Sequence, residues 1–211
     1  MKLSIRLEAV ATLVDVGKRV IDVGCDHAYL DIYLTLNNSN KCIATDINKN
    51  ALSIAKKNIE KYNCTNKIET VLTDGLTDIE INKDDNIVIC GMGTLTILDI
   101  LKTNILSDTL IISSNNHIDK LRKVVVELGY YIDSEIFVVD KNKPYVIIKF
   151  KRGTKKYSQI DYLIGPILKN NIEYKKHLNQ KYSIILKSID KKKIWTKLKY
   201  RLILFRIKFN I

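Results

Sequence analysis

Apolar positions along the first 150 residues follow two alternating periods. Leu7, Val10, Ala11 and Val14 step at helical spacing, which predicts a helix over 4–16, and Gly17 stands where a helix C-terminal glycine belongs. Short β-branched runs follow at 19–23, 42–45, 68–72, 86–90 and 109–112, with helical patterns between them at 29–36, 49–62, 95–102 and 118–128. Strand and helix in strict alternation predict parallel strands joined by crossover helices, an α/β doubly wound sheet. After Gly129 the pattern changes. Residues 130–140 and 145–150 read as two strands around Lys141-Asn142-Lys143-Pro144, a turn with hairpin chemistry.

The segment 151–158, K-R-G-T-K-K-Y-S, is polar and basic and is expected to separate a domain at 1–152 from a second at 153–211. In the second, Leu178, Tyr182, Ile185 and Ile189 step by heptad spacing, as do Trp195, Leu198, Leu202, Phe205 and Phe209. The phase breaks at Asp190-Lys191-Lys192-Lys193, which predicts a turn and an antiparallel helical hairpin, a small coiled coil.

Charge changes the picture of this second part. Residues 1–140 carry 15 basic and 20 acidic side chains, and 141–211 carry 20 and 3. A near-neutral body with a basic tail region points to a polyanionic partner, and Arg6, Lys191, Lys192 and Lys193 are candidate contacts. The 211 residues suffice for a buried core without staples. Cys25, Cys42, Cys64 and Cys90 form no C-x-x-C pair and no zinc-ligand spacing, so they read as reduced thiols, and no metal is expected. Arg6 and Glu8 interrupt the N-terminal apolar residues and no run is long enough to span a bilayer, so a cytoplasmic protein without membrane contact is expected. No obligate protein partner is indicated.

The richest chemistry follows the first strand, in Ile21-Asp22-Val23-Gly24-Cys25-Asp26-His27-Ala28-Tyr29-Leu30. This is the carboxyl rim, where open α/β sheets bind ligands. With Gly24 the sole glycine here, the dinucleotide fingerprint is absent. A zwitterionic amino-acid tail needs only a tight turn and a carboxylate for its ammonium, which Asp22 or Asp26 can supply; Asp26 could equally cap the next helix. Asp46 closes the second strand 22 residues after Gly24, where an acidic residue holds a ribose diol, or caps a helix. Ile47 adjoins it. Asp74-Gly75 after the third strand could face an adenine amino group or form a simple turn. Gly91-Met92-Gly93 after the fourth allows a base close to the backbone. His27, Tyr29 and Asn116 lie on the same rim. No P-loop, H-E-x-x-H or G-x-S-x-G occurs.

Ser4-Ile5-Arg6-Leu7, D-V-G-C-D-H-A-Y-L (22–30), A-T-D-I-N (44–48), D-G-L (74–76) and G-M-G (91–93) occur in an order that resembles the bacterial tRNA (adenine-22-N1)-methyltransferases, the TrmK family. The resemblance continues through Leu121-Arg122, Gly129-Tyr130, Pro144-Tyr145 and Gly165-Pro166. It implies a Rossmann-like methyltransferase domain followed by a helical coiled-coil domain, S-adenosylmethionine as cofactor and tRNA as substrate. Carried across, Gly24 and Asp26 line the methionine end, Asp46 the ribose, Asp74-Gly75 the adenine, and Gly91 to Gly93 the reaction site. Asp31 stands where the family usually has Pro, a substitution the first turn of a helix accommodates. Thr94 replaces the last glycine of G-M-G-G and is expected to narrow the substrate pocket. Ser113-Ser114-Asn115-Asn116 stands where a Q-P-N-like sequence is common.

In the reaction so implied, N1 of adenine carries an in-plane lone pair and needs no prior deprotonation. Alignment then dominates, with Asp26 stabilising the cationic product, His27 or Asn116 orienting the amino group and Tyr29 stacking on the base. Two rivals are a methyltransferase acting on another RNA or a small molecule, and a non-catalytic RNA-binding protein on the same scaffold.

Overall fold

A computed structural model describes residues 1–38, 40–103, 105–190 and 193–209. Contacts divide the chain into two compact units, Met1–Lys155 and Lys156–Ile211. The first unit opens with α1 (Ile5–Leu13), capped by the Ser4 hydroxyl, which accepts the Leu7 N–H. Seven strands follow: β1 (Val20–Val23), β2 (Cys42–Asp46), β3 (Ile68–Leu72), β4 (Asn86–Met92), β5 (Thr109–Ser114), β6 (Tyr130–Asp140) and β7 (Lys143–Arg152). The crossover helices are α2 (Tyr29–Asn38), α3 (Lys49–Lys61), α4 (Thr94–Ile100) and α5 (Ile118–Glu127).

The strands lie in the order β3-β2-β1-β4-β5-β7-β6. The first five are parallel and β7 enters antiparallel between β5 and β6. Strand order reverses between β1 and β4, which opens a crevice at their carboxyl ends. β1 and β5 are buried throughout because helices cover both faces, so they read as continuous apolar runs.

Some sequence expectations shift. α1 stops at Leu13, so Gly17 ends no helix; it turns the chain toward β1 with φ +73°. The hairpin turn is Lys141-Asn142, both in the left-handed region, and β7 takes in Lys143 and Pro144. A further buried ion pair, Arg122 to Glu135 at 2.7 Å, joins α5 to β6.

The second unit contains α6 (Gln159–Ile164), a 3-10 turn (Leu168–Asn170), α7 (Ile172–Ser188) and α8 (Ile194–Phe209). A Ser158/Asp161 capping box starts α6 directly after the segment read as linker, whose last residue, Ser158, is the cap. α7 and α8 pack together, with the Tyr182 and Tyr200 rings 6.0 Å apart. The expected seam on α8 is not the buried one. Trp195 is 85% exposed and Leu198, Leu202, Phe205 and Phe209 are exposed, whereas Ile207 is buried and Tyr200, Ile203 and Leu204 partly so. α8 carries two apolar stripes, and periodicity does not say which one faces α7. Among the described residues no helix is long and apolar enough to cross a membrane, and no cluster of three or more metal-ligating side chains occurs.

Candidate functional site

The carboxyl ends of β1 to β4 bring the predicted rim residues together. After β1 the chain turns at Gly24, whose φ of +79° suits glycine, and a Cβ there would collide with the Met92 methyl. Asp26 and Ala28 follow at φ 52° and 57°, left-handed conformations that cost about 1–2 kcal/mol for residues with a Cβ. Hydrogen bonds hold this loop, beginning with the Gly24 and Cys25 N–H groups, which both donate to the Thr45 carbonyl at 2.9 Å. The Asp26 N–H donates to Asp46 Oδ2 at 3.2 Å, the Ala28 N–H to the Cys25 carbonyl at 2.8 Å, and Asn58 Nδ2 to the His27 carbonyl at 3.0 Å. Asp26 therefore does not cap α2, which starts at Tyr29. The His27 and Tyr29 rings meet edge-on at 5.9 Å, and His27 Nδ1 lies 3.7 Å from Asp26 Oδ1.

Asp46 ends β2 with its other oxygen accepting the Asn48 N–H at 2.8 Å. It does not cap α3; the Asn48 side chain does, accepting from Asn50 and Ala51. Ile47 is 68% exposed, an apolar surface beside that carboxylate. Asp74 is exposed at the end of β3, and Gly75 follows with φ +66°. β4 bulges between Cys90 and Met92 at Gly91, φ +95°. The bulge ends the strand's regular pairing and leads to Gly93, the backbone cap of α4.

Two openings meet at Arg6. One, of about 70 Å³, is bounded by Arg6, Asp22, Gly24, Asp26, His27 and Tyr29, among others. The other, of about 500 Å³, is lined by Arg6, Gly91, Asn115, Lys143, Pro144 and Tyr145. The Arg6 guanidinium lies 5.2 Å from the centre of the Tyr145 ring. Lys143 and Tyr145 escape sequence reasoning as site residues, because only the β6–β7 pairing carries the hairpin to Gly91, whereas Asn115 belongs to the Asn115-Asn116 pair already noted after the fifth strand. Asn115 donates to the Gly91 carbonyl at 2.7 Å and leaves its Oδ1 toward the recess.

Asn116 Oδ1 accepts the Thr94 N–H at 3.0 Å, so its carbonyl end ties down the start of α4 and only its Nδ2 is left for other work. Thr94 does not narrow the pocket. It is fully buried, with its hydroxyl 2.8 Å from the Ser114 hydroxyl and donating to the Asn116 carbonyl at 2.5 Å. Lys191 and Lys192 lie outside the described residues, and Lys193 is exposed just before α8 in the separate helical unit.

Below the rim, Asp22 and Asp31 are buried carboxyls that meet each other. Burial pushes Asp22 up to about 7, offset in part by a hydrogen bond from Asp31, and burial beside Asp22 pushes Asp31 well up. Burial also raises the thiols of Cys25, Cys42 and Cys90, the last to about 12, so none is a ready thiolate.

The rim fits an adenosyl amino acid. Asp46 is half-buried, fixed by two N–H groups and still has free lone pairs; Gly24 makes a tight left-handed turn in which the Met92 methyl sits where a Cβ would be; carboxylates stand at three successive strand ends.

A methyltransferase domain family matches residues 3–148. The tRNA (adenine(22)-N(1))-methyltransferase of Bacillus subtilis is 31% identical over 190 residues, 83% of this chain and 80% of the relative. Among solved structures, M. capricolum TrmK in complex with S-adenosyl-homocysteine is similar with a TM-score of 0.87 and 32% identity, over 100% of this chain and 98% of that one. The B. subtilis M1A22 tRNA methyltransferase TrmK gives a TM-score of 0.83 at 27% identity, over 99% and 98%.

Proposed function

This chain belongs to the TrmK family of tRNA (adenine(22)-N1)-methyltransferases, and from that premise we infer that it methylates N1 of adenine 22 in tRNA with S-adenosylmethionine. The observation that carries the reading is the row of carboxylates Asp22/Asp26, Asp46 and Asp74 at the ends of β1, β2 and β3, beside the open backbone of Gly91.

We assign Asp46 to the ribose hydroxyls, Asp74 and Gly75 to the adenine edge with Ile47 on its face, and Asp22, Gly24 and Asp26 to the methionine end. The cofactor supplies an electrophilic methyl group on a sulfonium. The chain supplies the alignment. Gly91, Met92 and Gly93 let the target base approach the backbone. Tyr29 offers a ring to stack on the base, and His27 or the free Nδ2 of Asn116 orients its polar edge. Asp26, at the mouth of the smaller opening, stabilises the positive charge that develops on the base. N1 is hidden in a Watson–Crick pair, so the nucleotide must leave its stack first. The recess of Arg6, Lys143, Asn115 and Tyr145 has two cations for the departing nucleotide's phosphates and room for a nucleoside.

Residues 156–211 carry 14 basic and 3 acidic side chains, against 21 and 20 in residues 1–155. We assign the helical unit to gripping tRNA, which places the reaction in the cytoplasm. The test is to incubate the full chain with S-adenosylmethionine and an unmodified tRNA carrying adenine at position 22, and to map methylated bases. Methylation confined to N1 of that base is expected. No methylation, or modification of a different atom, overturns the assignment.

A further inference from the structure

Asp31 takes no part in the binding scheme above, yet it is the most unusual carboxyl in the molecule. It lies in the first turn of α2, fully buried, and both its oxygens are shielded from solvent, with only its own backbone N–H and the weakly donating Cys42 thiol beside them. Two ionised carboxylates in this position would be mutually repelling and unsolvated, an arrangement proteins avoid by retaining a proton. The neighbour is Asp22 on β1, at the floor of the smaller opening. One carboxylic acid donating to one carboxylate satisfies the pair.

We propose that Asp31 is a positioning residue, held uncharged so that its O–H donates to Asp22, and that capture of the cofactor's ammonium by Asp22 displaces the proton carried by the acid form of Asp22. The proposal rests on the assignment of Asp22 to the methionine end. The bookkeeping is simple. Asp31 keeps its proton throughout. Asp22 exists as a mixture of acid and carboxylate near neutrality, and only the carboxylate binds an ammonium well. Occupation therefore releases the proton of the acid fraction to solvent, with no other bond made or broken.

The surrounding groups favour this assignment. From β2, Asp46 adds negative charge that disfavours ionisation of Asp22, and from α1, Arg6 favours it. Asp26 and His27 face the same opening from the β1–α2 loop. Cys25, Cys42 and Cys90 surround the pair as neutral thiols. Asp22 alone is pushed up to about 7, chiefly by burial, while Asp31 is raised well above its usual range by burial and by the charge of Asp22. Of the two, Asp22 borders the opening and Asp31 does not, so Asp22 is the group that an arriving cation meets.

Two measurements test this. Infrared spectroscopy of the ligand-free full chain at pH 7.5 should show a buried carboxylic acid C=O band that is largely lost in Asp31→Asn, which leaves only the acid fraction of Asp22. Absence of that band overturns the proposal whether or not any cofactor binds. Calorimetry with S-adenosylhomocysteine, in two buffers of different ionisation enthalpy, should show proton release that increases from pH 7.5 to pH 6. With a midpoint near 7, affinity should fall about fivefold between pH 7 and pH 6.

Asp31→Asn keeps a donor to Asp22 and should bind with a wild-type pH profile. Asp31→Leu removes the donor and should shift the affinity profile to higher pH, a change that proton release from His27 would not produce. Identical profiles in Asp31→Leu and wild type overturn the role of Asp31. If S-adenosylhomocysteine fails to bind while the acid band is present, it is the cofactor assignment that falls and not the protonated pair.

Discussion

Asp46→Ala is the perturbation that most directly tests the cofactor site. The carboxylate has about four lone-pair directions. Two are taken by the Asp26 and Asn48 N–H groups at 3.2 and 2.8 Å, which fix its plane and leave two for the adjacent hydroxyls of a ribose. A hydrogen bond to a charged acceptor contributes about 1.5–3 kcal/mol. Losing one weakens binding about 10- to 150-fold, and losing both pushes the result toward the upper end. The fold should survive, because both freed N–H groups lie in exposed hydrogen bonds that water can replace. The Asp26 turn loses one of its ties, so residual binding should also be slower to form. Calorimetry with S-adenosylhomocysteine, alongside a circular-dichroism melt, reads both quantities. Asp46→Asn retains one acceptor and should fall between wild type and alanine. A folded Asp46→Ala protein with wild-type affinity would refute the ribose assignment.

Gly24→Ala should abolish cofactor binding with a modest loss of stability: φ is +79° and the new methyl meets the end of Met92, so a melt and a binding titration should diverge. Arg122→Leu leaves Glu135 buried without its 2.7 Å partner and should cost about 3–5 kcal/mol in chemical denaturation; a loss below 1 kcal/mol would show that the pair is already solvated. The stability difference between wild type and Asp22→Asn in the ligand-free protein should move against wild type as pH rises from 5 to 7.5. A raised folded-state carboxyl binds more protons than the unfolded chain in that window, so a difference that is flat with pH contradicts the shift. Removing residues 156–211 should leave cofactor affinity unchanged and lose most tRNA affinity. If about five lysines meet phosphates, the full chain should show a logarithmic salt slope of about −3.5 to −4.5, and equal slopes in both proteins would exclude the helical unit from RNA binding.

The sequence by itself determined the alternation of strand and helix, the hairpin after Gly129 and the carboxylates at successive strand ends. These features are local: period-2 and helical spacing, β-branched runs and acidic turns are written in neighbouring residues, and the crossover rule then places those turns on one rim. The tertiary structure decided what depends on neighbours far along the chain. Thr94 looked like a pocket residue until packing against Ser114 turned its hydroxyl inward. Asp31 looked like a benign first-turn acid until α2 laid it against Asp22 on β1. The hairpin strand β7 enters between β5 and β6, and that placement brings Lys143 and Tyr145 to Arg6 and Gly91. On α8 two apolar stripes compete, and the one with Tyr200, which meets Tyr182 of α7, and the more buried Ile203 and Ile207 won over the heptad of Trp195, Leu198 and Leu202. A one-dimensional pattern fixes which residues can share a face; which face meets which partner is set by burial energy summed over contacts that the pattern does not contain.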